Sequence, residues 1–430
     1  PNAIMGLALT GPIMSLTAAF GAMVGVGAAT LMSVRLGQKD YGTAQRILGN
    51  VIILNTVIGI GLGLTLQLFL TPILRFFGAS DLTIGPARDF MTVILAGNIV
   101  THLYLGLNSL LRSTNRPKQA MYATFGTVIL NCILAPLFIF VFKWGVAGSA
   151  LATVVAQFTA LMVQMHHYTS PTSFLRFKRK SFRLNGRIIG AILSIGMAPF
   201  LLNLCASLVT RFMNTALLNY GGTGSDDVVT SAMFEGGVGD IYVGAYGIMN
   251  RVLLLFVMVA QGFNQGMQPI VGYNYGAKQY GRVIKVLKYA IICASCVTTF
   301  AFVIGILFPY EVASLFVDAS EGSSARAMTE IVAQGLRVAM LVFPLVGFQI
   351  VAGGFFQYIG RAPLAMFLST TRQLLFLLPL LLILPPKFGA IGAWMAMPMA
   401  DAAAVFIAAL LLFVQIRKLR REERKMHFNR

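Results

Sequence analysis

The chain has 430 residues, 57% of them hydrophobic and 11% charged, with a mean hydropathy of +0.78 and a formal net charge of +19. Soluble domains carry about 25% charged residues. No soluble core could hide this much apolar surface, so composition excludes an ordinary soluble protein and points to a polytopic membrane protein. The excess positive charge does not signal nucleic-acid binding, because the basic residues sit in short connectors between apolar runs, as the positive-inside rule produces.

Runs long enough to span a bilayer, about 20 residues each, fall at 8–34, 47–70, 89–111, 119–142, 146–167, 188–218, 241–272, 284–309, 327–357, 362–384 and 390–416. Eleven helices are predicted. Taking the connectors after every odd run as cytoplasmic puts 24 basic residues inside and five outside. That asymmetry predicts a cytoplasmic C-terminus. The cysteines Cys132, Cys205, Cys293 and Cys296 all lie in apolar runs without metal-ligand spacing, and read as small core residues.

The chain repeats itself. Gly37-Gln38-Lys39-Asp40-Tyr41-Gly42 returns as Gly276-Ala277-Lys278-Gln279-Tyr280-Gly281, at an offset of 239 positions. Arg116-Pro117-Lys118 aligns with Arg361-Ala362-Pro363 at 245, and Lys143-Trp144-Gly145 with Lys387-Phe388-Gly389 at 244. Three landmarks in one order at near-constant spacing indicate duplication. Equivalent landmarks fall on the same side of the membrane, so the repeats are parallel. The expected fold is an all-α polytopic membrane protein of two pseudo-symmetric helical bundles around a central cavity. Its N-terminal lobe covers 1–168, a cytoplasmic basic linker 169–187, a C-terminal lobe 188–416 and a basic cytoplasmic tail 417–430. The second half has a helix (188–218) before its motif-bearing helix. Duplication therefore predicts an equivalent helix before residue 1, making twelve in all.

Gln265-Gly266-Met267-Gln268-Pro269-Ile270-Val271-Gly272-Tyr273-Asn274-Tyr275-Gly276 resembles the eighth-helix signature of multidrug and toxic compound extrusion (MATE) transporters. Gly25-Val26-Gly27-Ala28-Ala29 through Arg35-Leu36-Gly37 resembles the matching second-helix segment. The resemblance runs from the second helix onward. It implies two six-helix lobes and export of organic cations, driven by inward sodium or proton flow, from a monomer in the bacterial inner membrane. Arg35–Gly42 lacks the Asp-Arg and Gly-Arg spacing of major-facilitator loops.

Of 14 acidic residues, only Asp401 falls well inside an apolar run. An unpaired carboxylate there costs at least ~2.5 kcal/mol, so it should face the protein interior. Such a group can bind a proton, a sodium ion or a cationic substrate, or form a structural hydrogen bond to a neighbouring helix. Its repeat partner is Gln157. Asn131, four residues before the Ala135-Pro136 step, suits a cavity wall or an interhelical hydrogen bond. Members of the resembled family often carry an aspartate where Ala135 stands. Gln261, Gln265 and Gln268 share a helix face by i, i+4, i+7 spacing, with Asn264 beside them; that stripe should meet a wet cavity or another helix. Asn203 and Ser207 stand where sodium-coupled members of the resembled family place an acid. Arg211, Arg251, Arg337 and Arg372 also fall in apolar runs, and Arg251 lies deep enough to need a partner. His102 reads as a core or interface histidine.

No Walker motif, HExxH, nucleophile elbow or metal cluster occurs, so neither an enzyme nor a cofactor is expected. The leading reading is a secondary antiporter exporting cationic amphipathic compounds. A lipid-linked oligosaccharide flippase is the alternative within the wider superfamily, and a non-transporting scaffold the alternative outside it. A flippase should have a cationic cavity, built from Arg211, Arg251 and Arg337 rather than Asp401.

Overall fold

A computed structural model describes residues 2–76, 83–170, 173, 175–221, 238–317 and 323–428. The described residues are helical, with no strand. The first half holds α1 (Asn2–Gly37), α2 (Tyr41–Leu68), α3 (Leu70–Phe76), α4 (Ile84–Ala96), α5 (Asn98–Ser113), α6 (Pro117–Pro136) and α7 (Gly145–Thr169). The second holds α8 (Gly186–Tyr220), α9 (Val238–Gly276), α10 (Tyr280–Leu307), α11 (Pro309–Ser314), α12 (Ser323–Ala339), α13 (Phe343–Tyr358), α14 (Ala362–Thr370), α15 (Leu378–Ile383) and α16 (Pro385–Phe428). Among the described residues nine helices are long and apolar enough to cross a membrane, and eleven spans result if each of two bent pairs counts as one.

The bends replace what sequence reads as single helices over 89–111 and 327–357. Helices α4 and α5 meet at 53°, and α12 and α13 at 58°. Gly97 closes α4 and opens α5. In the second half the break falls before Pro344, which occupies the first turn of α13 and cannot donate a hydrogen bond backward. The predicted C-terminal tail differs too: α16 runs on as helix through its charged end to Phe428.

The duplication is written in the backbone. Lys39 and Lys278 are both left-handed, at φ 60° and 58°. Asn115 and Gly360 match at 62° and 75°, and Gly145 and Gly389 at 56° and 60°. All three pairs fall at the offsets of the sequence landmarks. The short helices α3 and α11 also begin 239 positions apart.

By internal contacts the chain divides into one compact unit of Pro1–Leu204 with Gly272–Ala277, and a second of Cys205–Val271 with Lys278–Arg430. The first unit's core is built from Val24, Ala28 and Met32 of α1, Ile47 and Leu48 of α2, and Leu107 and Leu110 of α5, all nearly or fully buried. In the same unit α1 crosses the end of α9 at close range. A Cβ on Gly37 would strike the Tyr273 carbonyl oxygen, and one on Gly276 would strike that of Val34. The glycines of the opening repeat are thus backbone contacts as well as turn residues. The second unit centres on Met213, Met249, Leu336 and Trp394. Of the cysteines only Cys205 joins a core; Cys132, Cys293 and Cys296 are exposed, which corrects their reading as core residues. Their runs are helices with one outward face, and these three sit on it.

Candidate functional site

The second unit carries the strongest polar feature within its spans. Asp401 lies midway along α16 and is 4% exposed. Its Oδ1 accepts a hydrogen bond from Arg372 Nε at 2.5 Å, forming an ion pair. Arg372 sits in a π-helical turn, Thr371–Leu377, between α14 and α15. One extra residue in a turn shifts the register of the side chains beyond it, and such π segments recur at functional sites. Breaking a buried pair leaves an uncompensated charge. The pair therefore answers the cost that sequence assigns to both residues. The signal for the pair was present in sequence as two opposite charges in neighbouring apolar runs, but spacing alone does not join residues 29 positions apart.

On α9 the amide stripe divides. Gln268 is 1% and Asn264 6% exposed, whereas Gln265 is exposed and Gln261 half-buried. Asn264 Nδ2 donates to Gln261 Oε1 at 3.1 Å. The Asn264 amide packs against Gly354 of α13, where a Cβ would collide with Oδ1. One edge of the stripe is interhelical packing and the other is an outward polar edge.

Two further predicted residues form interhelical bonds in the first unit. Thr101 of α5 donates to Gln157 Oε1 of α7 at 2.5 Å. Asn131 Nδ2 of α6 donates to Thr153 Oγ1 of α7 at 2.8 Å. Next to Thr101, His102 is 1% exposed and its Nδ1 has no hydrogen-bond partner. Asn55 of α2 is fully buried with both amide atoms unpartnered. Asn98 Nδ2 donates to the Gly59 carbonyl at 3.1 Å. Sequence reading did not single out Asn55 or Asn98, because one amide in an apolar run has no periodicity to mark it.

Asn203 is exposed and bonds within its own helix, to the Pro199 carbonyl at 2.8 Å. Arg251 is exposed on α9. Arg211 is exposed on α8, and Arg337 lies over the Tyr310 ring at 5.3 Å. Gln157 and Asn131 thus share helix α7 as a bonding partner or home, Asp401 stands with Arg372, and Gln261 with Asn264. Among the described residues no cluster of three metal-ligating side chains occurs.

The MatE family model matches residues 1–137 and 228–383. Multidrug export protein MepA of Staphylococcus aureus strain N315 is 23% identical over 415 residues, covering 96% of this chain and 85% of its own. Among solved structures, a MOP superfamily transporter from Pyrococcus furiosus, described as having a binding pocket of reverse polarity, superposes with a TM-score of 0.89 at 22% identity over 98% of this chain and 89% of its own. The MATE multidrug transporter DinF-BH in complex with R6G superposes with a TM-score of 0.82 at 32% identity, over 96% and 87%.

Proposed function

This chain belongs to the MatE family of multidrug efflux transporters, and we propose that it exports amphipathic organic cations in exchange for inward sodium or proton flow. It is a multi-pass membrane protein. We place it as a monomer in a bacterial inner membrane; the charge asymmetry of its connectors supports a cytoplasmic C-terminus. The transport cycle is alternating exposure of a midplane cavity by rocking of two bundles.

The observation that carries this reading is Asp401. It is the one carboxylate far from the ends of a span, it is buried, and its present counter-ion is an internal arginine. A proton or sodium ion arriving at the carboxylate competes with Arg372 and changes the charge that a cationic substrate meets. Gln261, Gln265, Gln268 and Asn203 supply polar contacts along α8 and α9; Gln157 and Asn131 supply neutral ones in the first unit. The test is efflux from proteoliposomes under a sodium gradient and a pH gradient imposed separately. Asp401→Asn should abolish coupling to whichever gradient drives efflux. Unchanged gradient-driven efflux by that variant refutes the assignment.

A second reading rests on the same pair. Arg372 matches the charge of Asp401, while Arg211 and Arg251 are exposed in the second unit. That balance suits a carrier of anionic headgroups, such as a lipid-linked saccharide phosphate. In the same proteoliposomes, transport of an anionic amphiphile that is lost on Arg251→Gln would favour it over cation export.

A further inference from the structure

The connector between α7 and α8 carries six basic residues and no acidic one over 170–187. It is held to α2 at several points. Gln45 Nε2 donates to the Arg176 carbonyl and, at 2.9 Å, to Ser181 Oγ. Asn50, fully buried, donates to the Arg183 carbonyl at 3.1 Å and accepts from the Asn185 N–H at 3.0 Å. Gly49 lets the strand of connector lie on α2, since a Cβ there would meet the Ser181 carbonyl. Ser181 and Leu175 are buried beneath, and the Phe177 ring packs tilted between Tyr168 and Phe182. Asn185 then caps α8, its Oδ1 accepting from the Arg187 N–H at 3.0 Å.

The fixed backbone turns its other side outward. Lys178, Lys180, Arg183 and Arg187 are exposed, and so are Phe182 at 38% and Leu184 at 65%. Among the described residues none of those four cations makes an ion pair. The carboxylate of the repeated motif, Asp40, is engaged by Arg35 at 3.7 Å. No acidic residue occurs between Asp89 and Asp226.

We propose that this strap is an anionic-lipid site, with its cations on headgroup phosphates and Phe182 and Leu184 in the acyl boundary of the membrane face where α7 ends. Positive charge that only sets topology needs number and not position. Here a buried amide, a second amide and a glycine hold the charges in place. Exposed apolar side chains between cations are the composition of an interfacial anchor, and basic clusters beside a span attract anionic leaflets within about a Debye length, roughly 10 Å at 0.1 M salt. The inference does not require transport.

The test is native mass spectrometry of the full chain released from mixed micelles of phosphatidylglycerol and phosphatidylcholine. Wild type should retain phosphatidylglycerol about tenfold over phosphatidylcholine. K178Q/K180Q/R183Q/R187Q should lose that preference, and F182S/L184S should reduce it. R417Q/K418Q/R420Q/R421Q, an equal loss of charge in the tail, should retain it. Gln45→Ala, which unpins the strap with every cation kept, should weaken it several-fold. Equal loss in the tail variant would overturn the proposal, as would no loss in the strap variant. Displacement of the lipid by inorganic phosphate at matched ionic strength would also overturn it, because the site would then be one for free anion.

Discussion

The two halves share a backbone but differ in how they treat polarity inside it. At the offsets of 244 and 245, Asp401 and Arg372 correspond to Gln157 and Thr127. The second half thus keeps an ion pair with a buried carboxylate where the first keeps two neutral side chains, one of them bonded to Thr101. Elsewhere the first half buries Asn55 where the second has Ala294, and caps α2 with Asp40 where the second has Gln279 with no capping side chain. Small and large trade places as well. Gly25 sits against Ser109 in the first half; the equivalent positions in the second hold Asn264 against Gly354. Duplication preserved the turns and the bends, and what diverged was the filling. The ion pair within a span is found, among the described residues, in one repeat.

The sharpest way to break this comparison is Arg372→Ala. It strands a buried carboxylate and should cost about 3–5 kcal/mol, read as a large fall in melting temperature in detergent. Copying the first half with Arg372→Thr and Asp401→Gln together should recover most of that loss. A double variant as unstable as the single one would show that charge is not what separates the repeats. Next in size, Gly354→Ser overpacks the Asn264 contact and should cost about 1–3 kcal/mol. Adding Asn264→Gly reproduces the Gly25–Ser109 pair and should restore stability; failure to restore it would mean the two contacts are not equivalent. Asn55→Leu keeps the branched shape and removes an amide whose two polar atoms are unpartnered, so it should raise stability by about 1 kcal/mol, measured by the same thermal assay. A drop would mean the amide has a partner in the membrane.

The smallest effect concerns acid. Hydrogen bonds from Thr43, with lesser help from the Arg35 and Arg46 charges, hold the Asp40 carboxyl below its ordinary value of 3.8. A depressed folded pKa means stability that is present above that ordinary value and lost as pH falls through the folded one. Hydrogen-exchange protection at the start of α2, measured against the intrinsic rate at each pH, should therefore fall on acidification below about pH 4, while that at the start of α10 should not. Asp40→Asn should remove the pH dependence and leave exchange at neutral pH only slightly faster.

Composition and periodicity were enough for the spans, the duplication and the family resemblance, because apolar length and motif spacing are one-dimensional signals. Asp401 was legible for the same reason: a lone acid in an apolar run is costly wherever it sits. Its partner was not, since Arg372 reaches it through a π-helical turn whose register no helical periodicity encodes. The bends at Gly97 and before Pro344 were also missed, as both fall inside runs that remain apolar throughout. Arg251 was read as deep enough to need a partner and lies on an exposed face, because a run gives depth along the sequence and says nothing of which side of the helix faces out. The division of the Gln261–Gln268 stripe has the same origin.

The left-handed lysines of the repeated turn have one more consequence. A residue with a Cβ in that conformation is strained by about 1–2 kcal/mol, and glycine would relieve it. Both halves nevertheless hold lysine there, at Lys39 and Lys278. Nothing in the geometry of the turn asks for that side chain. An ammonium group in a short connector adds to the charge that orients a membrane protein, so replacing both with glycine should tighten the fold while loosening its hold on which way up the protein inserts.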